Sequence, residues 1–262
     1  MQRALWIAAS GMEAQQLNVD TIANNLANVN TTAFKRSRAE FQDLLYTTLI
    51  SPGASSSAST RFPSGAQVGH GAKVSAIKKV FSQGDFQRTD NPLDLIIEGS
   101  GFFKVLLPDG TTTYTRDGAF STNSDGIVVN AQGYTLDPPV NIPPDALRIT
   151  VGADGTVSVD QPGQTTPSQV GTIELARFAN PSGLSASGGN LFLPTSASGE
   201  PTLGSPGTDG FGAIGQGFIE MSNVSVVQEL VTMIAAQRAY ELNSRAVRAS
   251  DEMLSNLNNL VR

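Results

Sequence analysis

Few residues in this chain have types and spacing suited to chemistry. Cysteine is absent, which removes disulfides, thiolate nucleophiles and Cys-based metal sites together. His70, the only histidine, stands between Gly69 and Gly71, so no second imidazole shares a metal or a proton with it, and a turn or surface position is expected. Glycines are plentiful, but none belongs to a phosphate-cradling loop ending in Gly-Lys-Ser/Thr. Asp154, Asp160 and Glu174 are the carboxylates that could meet as a hydrolytic pair, as in a cell-wall glycosidase, yet no spacing favours it. Five Asp-Gly pairs begin at Asp109, Asp117, Asp125, Asp154 and Asp209. Glycine supplies positive φ freely and aspartate tolerates it, so hairpin turns are expected there. Calcium ligation is the alternative, but no segment alternates acids as a calcium loop does. The expectation is no catalytic residue, no cofactor and no metal.

The elements around these positions are more informative. The chain has 262 residues and a formal net charge of −6, enough for one or two domains with a real core and unsuited to nucleic acid or an anionic membrane as main partner. No apolar run reaches eighteen residues, so no membrane span is expected. The early run Ala4–Ala9 is too short for a signal-peptide core, so any export is expected without a cleaved signal.

Helix breakers crowd the middle. Residues 1–51 contain no proline and only Gly11, whereas residues 218–262 contain neither proline nor glycine. In the first stretch Leu5, Met12, Val19 and Leu26 recur every seven residues, with Gln15 and Gln16 interrupting the seam. This predicts an amphipathic helix over 2–28, roughly 40 Å long. In the last stretch Val226, Met233, Tyr240, Val247, Leu254 and Val261 keep the same step, predicting a helix over 226–261 of roughly 54 Å. Ser225 and Gln228 have the form of a capping box, and Glu241 with Arg245 and Arg248 with Glu252 have the spacing of exposed ion pairs. Both a coiled coil and a plain two-helix hairpin on a β domain pair the chain ends.

Short apolar runs such as Leu93–Glu98, Phe102–Leu107 and Ile173–Phe178, punctuated by turns, predict a mainly antiparallel β domain. The expected fold is α+β. A discontinuous helical coiled-coil domain is formed by residues 1–30 and 222–262, a connecting extended region by 31–75 and 205–221, and a β domain by 76–204. Residues 46–65 have linker composition, but Tyr46, Leu49, Ile50 and Phe62 give them apolar contacts and Pro52 and Pro63 restrict them, so an ordered arm is the competing expectation.

Two segments carry a family resemblance. Asp20-Thr-Ile-Ala-Asn-Asn-Leu-Ala-Asn-Val-Asn-Thr-Thr-Ala-Phe-Lys-Arg36 resembles the N-terminal signature of the flagellar rod and hook axial proteins. Ser222-Asn223-Val224-Ser225, continuing through Glu229-Leu230 to Met233-Ile-Ala-Ala-Gln-Arg-Ala-Tyr-Glu-Leu-Asn-Ser-Arg245, resembles their C-terminal signature. Gly99-Ser-Gly-Phe-Phe103, Leu107-Pro-Asp-Gly110 and Tyr114-Thr-Arg-Asp-Gly118 are similar to their β domain, and the arm is similar to a segment that distal rod members carry. One departure is Ala33, where the family has glycine before Phe34-Lys35.

The resemblance implies a non-enzymatic subunit of the bacterial flagellar basal body. Such a subunit polymerises into a hollow distal rod that transmits torque through the periplasm to the hook, with another rod or hook-type subunit as the alternative. A soluble binding module and a surface adhesin are the rival classes. Implied partners are further copies of the chain, proximal rod and hook proteins, the type III flagellar export apparatus and the surrounding rings. Expected subunit-interface residues are Leu5, Met12, Val19, Ile22, Asn24, Asn25, Leu26, Asn28, Val226, Leu230, Met233, Ile234, Gln237, Arg238, Tyr240, Asn243, Val247 and Leu254. Tyr46, Leu49, Ile50, Pro52, Phe62 and Pro63 form the expected arm.

Overall fold

The computed structural model describes residues 2–55, 61–164 and 166–260. The chain is α+β, with one long helix from each end and a mainly antiparallel β body between them. It forms two compact units, one of Met1–Ala27, Ser37–Lys78 and Ser225–Arg262, the other of Asn28–Arg36 and Lys79–Val224. Of the expected helical positions, Val261 lies outside the described residues.

In the first unit, α1 (Gln2–Ala27) and α2 (Val226–Leu260) occupy the two stretches poor in helix breakers and pack against one another. At one end Asn25 Nδ2 donates to Glu229 Oε2 at 3.2 Å. Further along, Gly11 lies against Asn243 so closely that a Cβ would stand 2.7 Å from Asn243 Nδ2. From Asn25 back to Gly11 is fourteen residues, and from Glu229 forward to Asn243 is also fourteen, so the helices run antiparallel and stay in step for two heptads.

The contact face differs from the expected apolar seam. Leu5, Met12, Val19 and Leu26 are only half-buried, while Ala8, Ile22 and Asn25 are buried and the supposed interrupter Gln15 is half-buried. On α2 the buried positions Glu229, Ala236 and Ser250 share a seven-residue row with half-buried Asn243. Small and polar side chains let the two backbones approach closely, and Gly11 does so most, which leaves larger apolar groups at the flanks.

Three local expectations are corrected. Ser225 stands at the start of α2 and its carbonyl accepts from Glu229 N at 2.9 Å, but no Ser225–Gln228 side-chain hydrogen bond forms. Both side chains are exposed, so water can satisfy the first-turn N–H groups. In place of the expected ion pairs, Arg238 Nη1 lies 3.6 Å from Glu241 Oε2 and Arg248 Nη2 donates to Ser244 Oγ at 3.4 Å. Exposed long side chains gain little from any one pairing, so spacing alone does not choose it.

The rest of the first unit includes two two-stranded sheets. Ser37–Asp43 pairs with Ala72–Lys79, and Tyr46–Ile50 pairs antiparallel with Ala66–Gly69. The segment read as linker or arm therefore begins inside a β-hairpin; its residues 56–60 lie outside the described residues.

The second unit holds the larger core. A nine-stranded sheet includes the hairpin Phe102–Leu106/Thr112–Thr115, and a three-stranded meander runs Arg148–Val151, Thr156–Asp160, Ser168–Thr172. Leu95, Phe103, Val105, Leu136, Val159 and Leu175 are fully enclosed. A second cluster is aromatic, with Phe81, Phe102, Tyr114, Phe178 and Phe192 in edge-to-face contacts at 4.8–6.2 Å. Asp109-Gly110, Asp125-Gly126 and Asp154-Gly155 make hairpin turns, their glycines at φ near 80°. Asp209-Gly210 is a turn between strands that do not pair with each other. Asp117-Gly118 is not a turn of that kind: a Cβ on Gly118 would fall 1.6 Å from Leu95 O, so close backbone approach is what requires glycine there.

Candidate assembly surface

The side of α2 turned away from α1 is a second apolar stripe. Val227, Val231, Ile234 and Leu242 are 73%, 62%, 57% and 64% exposed, and their spacing of four, three and eight residues keeps them on one face. Leu230, two-fifths exposed, widens it, and Arg238 and Arg245 sit along it. On α1 the face away from α2 carries Trp6, 76% exposed, with Glu13, Leu17 and Asp20. Burying a large apolar side chain stabilises by about 1.5–3 kcal/mol, so a helix that leaves a row of them in water has most of its packing energy still unrealised.

The expected interface residues fall into two groups. Ile22 and Asn25 are buried within the chain's own helical unit, and Met12, Val19, Met233, Asn243 and Val247 are half-buried there, as are Leu5, Leu26 and Leu254. Asn25 Nδ2 also donates to Ser37 O, and its Oδ1 accepts from Ser37 N, each at 2.8 Å, so it fixes where the chain leaves α1. Val226, Leu230, Ile234, Gln237, Arg238 and Tyr240 are exposed, as is Asn24; Asn28 is half-buried in the second unit. Of the arm, Tyr46, Leu49, Ile50, Pro52, Phe62 and Pro63 are all exposed. Beside them His70 is exposed in the link between Ala66–Gly69 and Ala72–Lys79, its Nδ1 2.7 Å from Leu45 O and its Nε2 3.2 Å from Thr47 Oγ1.

In the second unit, a buried charge cluster joins the two segments that lead into the helices. Glu220, in the strand Phe218–Glu220, receives Lys35 Nζ at 2.5 Å on one carboxylate oxygen and faces Arg116 Nε at 3.2 Å on the other. Gly84 N donates to Glu220 Oε1 at 2.9 Å. The surplus cation is offset by carbonyl oxygens: Ser82 O accepts from Lys35 at 2.8 Å, and Gly99 O and Gly101 O accept from Arg116 at 2.8 and 2.7 Å. Burial pushes the Lys35 ammonium below its ordinary value, and the Glu220 carboxylate opposes that shift. Next to the cluster Ala33 N donates to Glu220 O at 2.7 Å, and Arg36 N donates to Asn223 Oδ1 at 2.8 Å. Asn223 in turn donates to Val80 O and Ser82 O at 2.8 and 3.0 Å. These bonds account for Lys35 and Asn223 of the two signatures. Sequence reasoning missed Glu220; its only local signal is an acid ending the apolar pair Phe218-Ile219.

Among the described residues no group of His, Asp and Glu is placed to hold a metal ion, and no helix is long and apolar enough to cross a membrane. What stands out is a helical pair that leaves apolar faces in water.

Comparisons place this build in the class of flagellar axial proteins. Three family models match: "Flagella basal body rod protein" over residues 5–35, "Flagellar hook protein FlgE/F/G D1 domain" over 96–159, and "Flagellar basal body rod FlgEFG protein C-terminal" over 216–260. The flagellar basal-body rod protein FlgG of Borreliella burgdorferi is 53% identical over the full length of both chains. That of Caulobacter vibrioides is 51% identical over 96% of this chain and 97% of its own, and that of Bacillus subtilis 39% identical over the full length of both. The chain belongs to the flagellar basal-body rod protein FlgG family.

Proposed function

We propose that this chain polymerises into the hollow distal rod of the flagellar basal body, the drive shaft that carries motor torque through the periplasm to the hook, and that it has no catalytic role. The observation that carries this reading is the apolar face of α2 turned away from its own partner helix, in a chain related end to end to rod proteins. A tube of neighbouring copies covers such a face, and the α1–α2 pair then takes up coiled-coil packing within the tube wall. The expected interface residues divide between the two tasks: those buried inside the helical pair set its shape, and the exposed ones, from Val226 and Leu230 to Tyr240, meet other copies. The three-part division at residues 30, 75, 205 and 222 follows the same logic, with a helical domain, a connecting region that carries the arm, and a β domain. Export through the flagellar type III apparatus, and end contacts with proximal rod and hook proteins and lateral ones with the rings, complete the reading.

The test is to tag the chain on its β body, isolate basal bodies and image them with a gold label. Label confined to the rod between the inner ring and the hook is expected. Label on the hook alone, or assembled rods of full length in cells lacking the chain, would refute the proposal.

A further inference from the structure

The two outward faces of the helical pair are complementary, and we propose that they meet laterally, the outer face of α2 in one copy docking on the outer face of α1 in the next. This rests on the rod reading and deepens it by naming the contact. Glu13 and Asp20 are seven residues apart on exposed α1, and Arg238 and Arg245 are seven apart on exposed α2, so each pair spans about 10.5 Å of helix. Leu17 lies between the acids, at the edge of the hollow that it lines with Leu44, Ala72 and Val74, and Leu242 lies between the arginines, both exposed.

The two rows fit in one direction and one register. Copies standing side by side in the same orientation present α2 antiparallel to the neighbouring α1, the direction the helices already take within a copy. Asp20 then meets Arg238, Leu17 meets Leu242, and Glu13 meets Arg245. Relative to the pairing of Asn25 with Glu229 inside a copy, this register is displaced by only four residues, about 6 Å along the axis. The charges are available for it. Glu13, Asp20 and Arg245 have no ionic partner among the described residues, and Arg238 has only the 3.6 Å approach to Glu241.

Two different faces on opposite sides of one helical pair make a heterologous contact, which propagates into a ring or helix and does not close as a dimer. The apolar groups supply adhesion, while the charges fix direction and register.

The absence of cysteine makes the test clean. Leu17→Cys and Leu242→Cys together should give a ladder of disulfide-linked multimers in assembled material, and neither alone should. Glu13→Arg with Asp20→Arg, or Arg238→Glu with Arg245→Glu, should each cut assembly at least tenfold, and all four together should restore most of it. All six side chains are exposed, so circular dichroism of the variants should match the parent. Tubes that form without the ladder, or that tolerate either charge reversal, would overturn this contact and leave the rod reading intact. A parent chain that never enters the basal body would overturn the rod reading itself.

Discussion

Ala33 holds a conformation that its side chain disfavours. Its φ is 55°, in the left-handed region, and it is buried where the chain turns after α1. That region costs an L residue about 1–2 kcal/mol, while the buried methyl returns about 0.8 kcal/mol. Ala33→Gly should therefore raise the free energy of unfolding by up to about 1 kcal/mol, read from urea denaturation; a loss of stability would mean that the turn is not strained. A φ of 55° is one that glycine adopts without strain, in keeping with the glycine that the resemblance implied at this position. Nearby, Asp117 is half-buried, and desolvation raises its carboxyl above the ordinary aspartate value, opposed by hydrogen bonds from Ala119 and Thr32. A raised folded value means the native state binds the proton more tightly than the unfolded chain. The stability it contributes is fully present below the unfolded value and is lost as pH rises through the folded one. Asp117→Asn should then raise the melting temperature most at neutral pH, with the advantage shrinking toward pH 4. An advantage independent of pH would rule out the carboxyl as its source.

At the scale of elements, Glu220 ties the strand before α2 to the segment after α1, because Lys35 and Arg116 converge on it. Removing one partner of a buried ion pair costs about 3–5 kcal/mol, chiefly because the remaining charge is left without compensation. Glu220→Ala strands two cations and should destabilise the β body by that amount in thermal or urea unfolding. Lys35→Met leaves Arg116 paired with Glu220 and should cost clearly less. Equal losses would show that the two cations do not depend on one shared carboxylate.

For the whole molecule, the hairpin Tyr46–Ile50/Ala66–Gly69, exposed mainly along its first strand, and the chain it carries are the candidates for stiffening a tube. An arm with Tyr46, Leu49, Ile50 and Phe62 in water gains apolar burial when it reaches another copy, and Pro52 and Pro63 reduce the entropy lost on docking. Deleting residues 51–63 should leave tubes that still form but bend more easily, measured as curvature in electron micrographs of basal bodies. Straight tubes of parental stiffness would reduce the segment to a connector.

The sequence by itself determined the features that depend on near neighbours. Both helices follow from proline-free ends, within a residue or two of their limits, and three hairpin turns follow from Asp-Gly pairs. Its two signatures were legible because they are contiguous. The tertiary structure decided which face of each helix is turned inward. Periodicity marked Leu5, Met12, Val19 and Leu26, but small residues around Gly11 and Asn243 allow the closest approach, and a large side chain cannot occupy that gap. It also decided the partner of Lys35, which lies 185 residues away in the chain at Glu220. No local pattern encodes such a pairing, because a buried cation needs an anion close in space, and only the folded β body brings the strand before α2 beside the turn after α1.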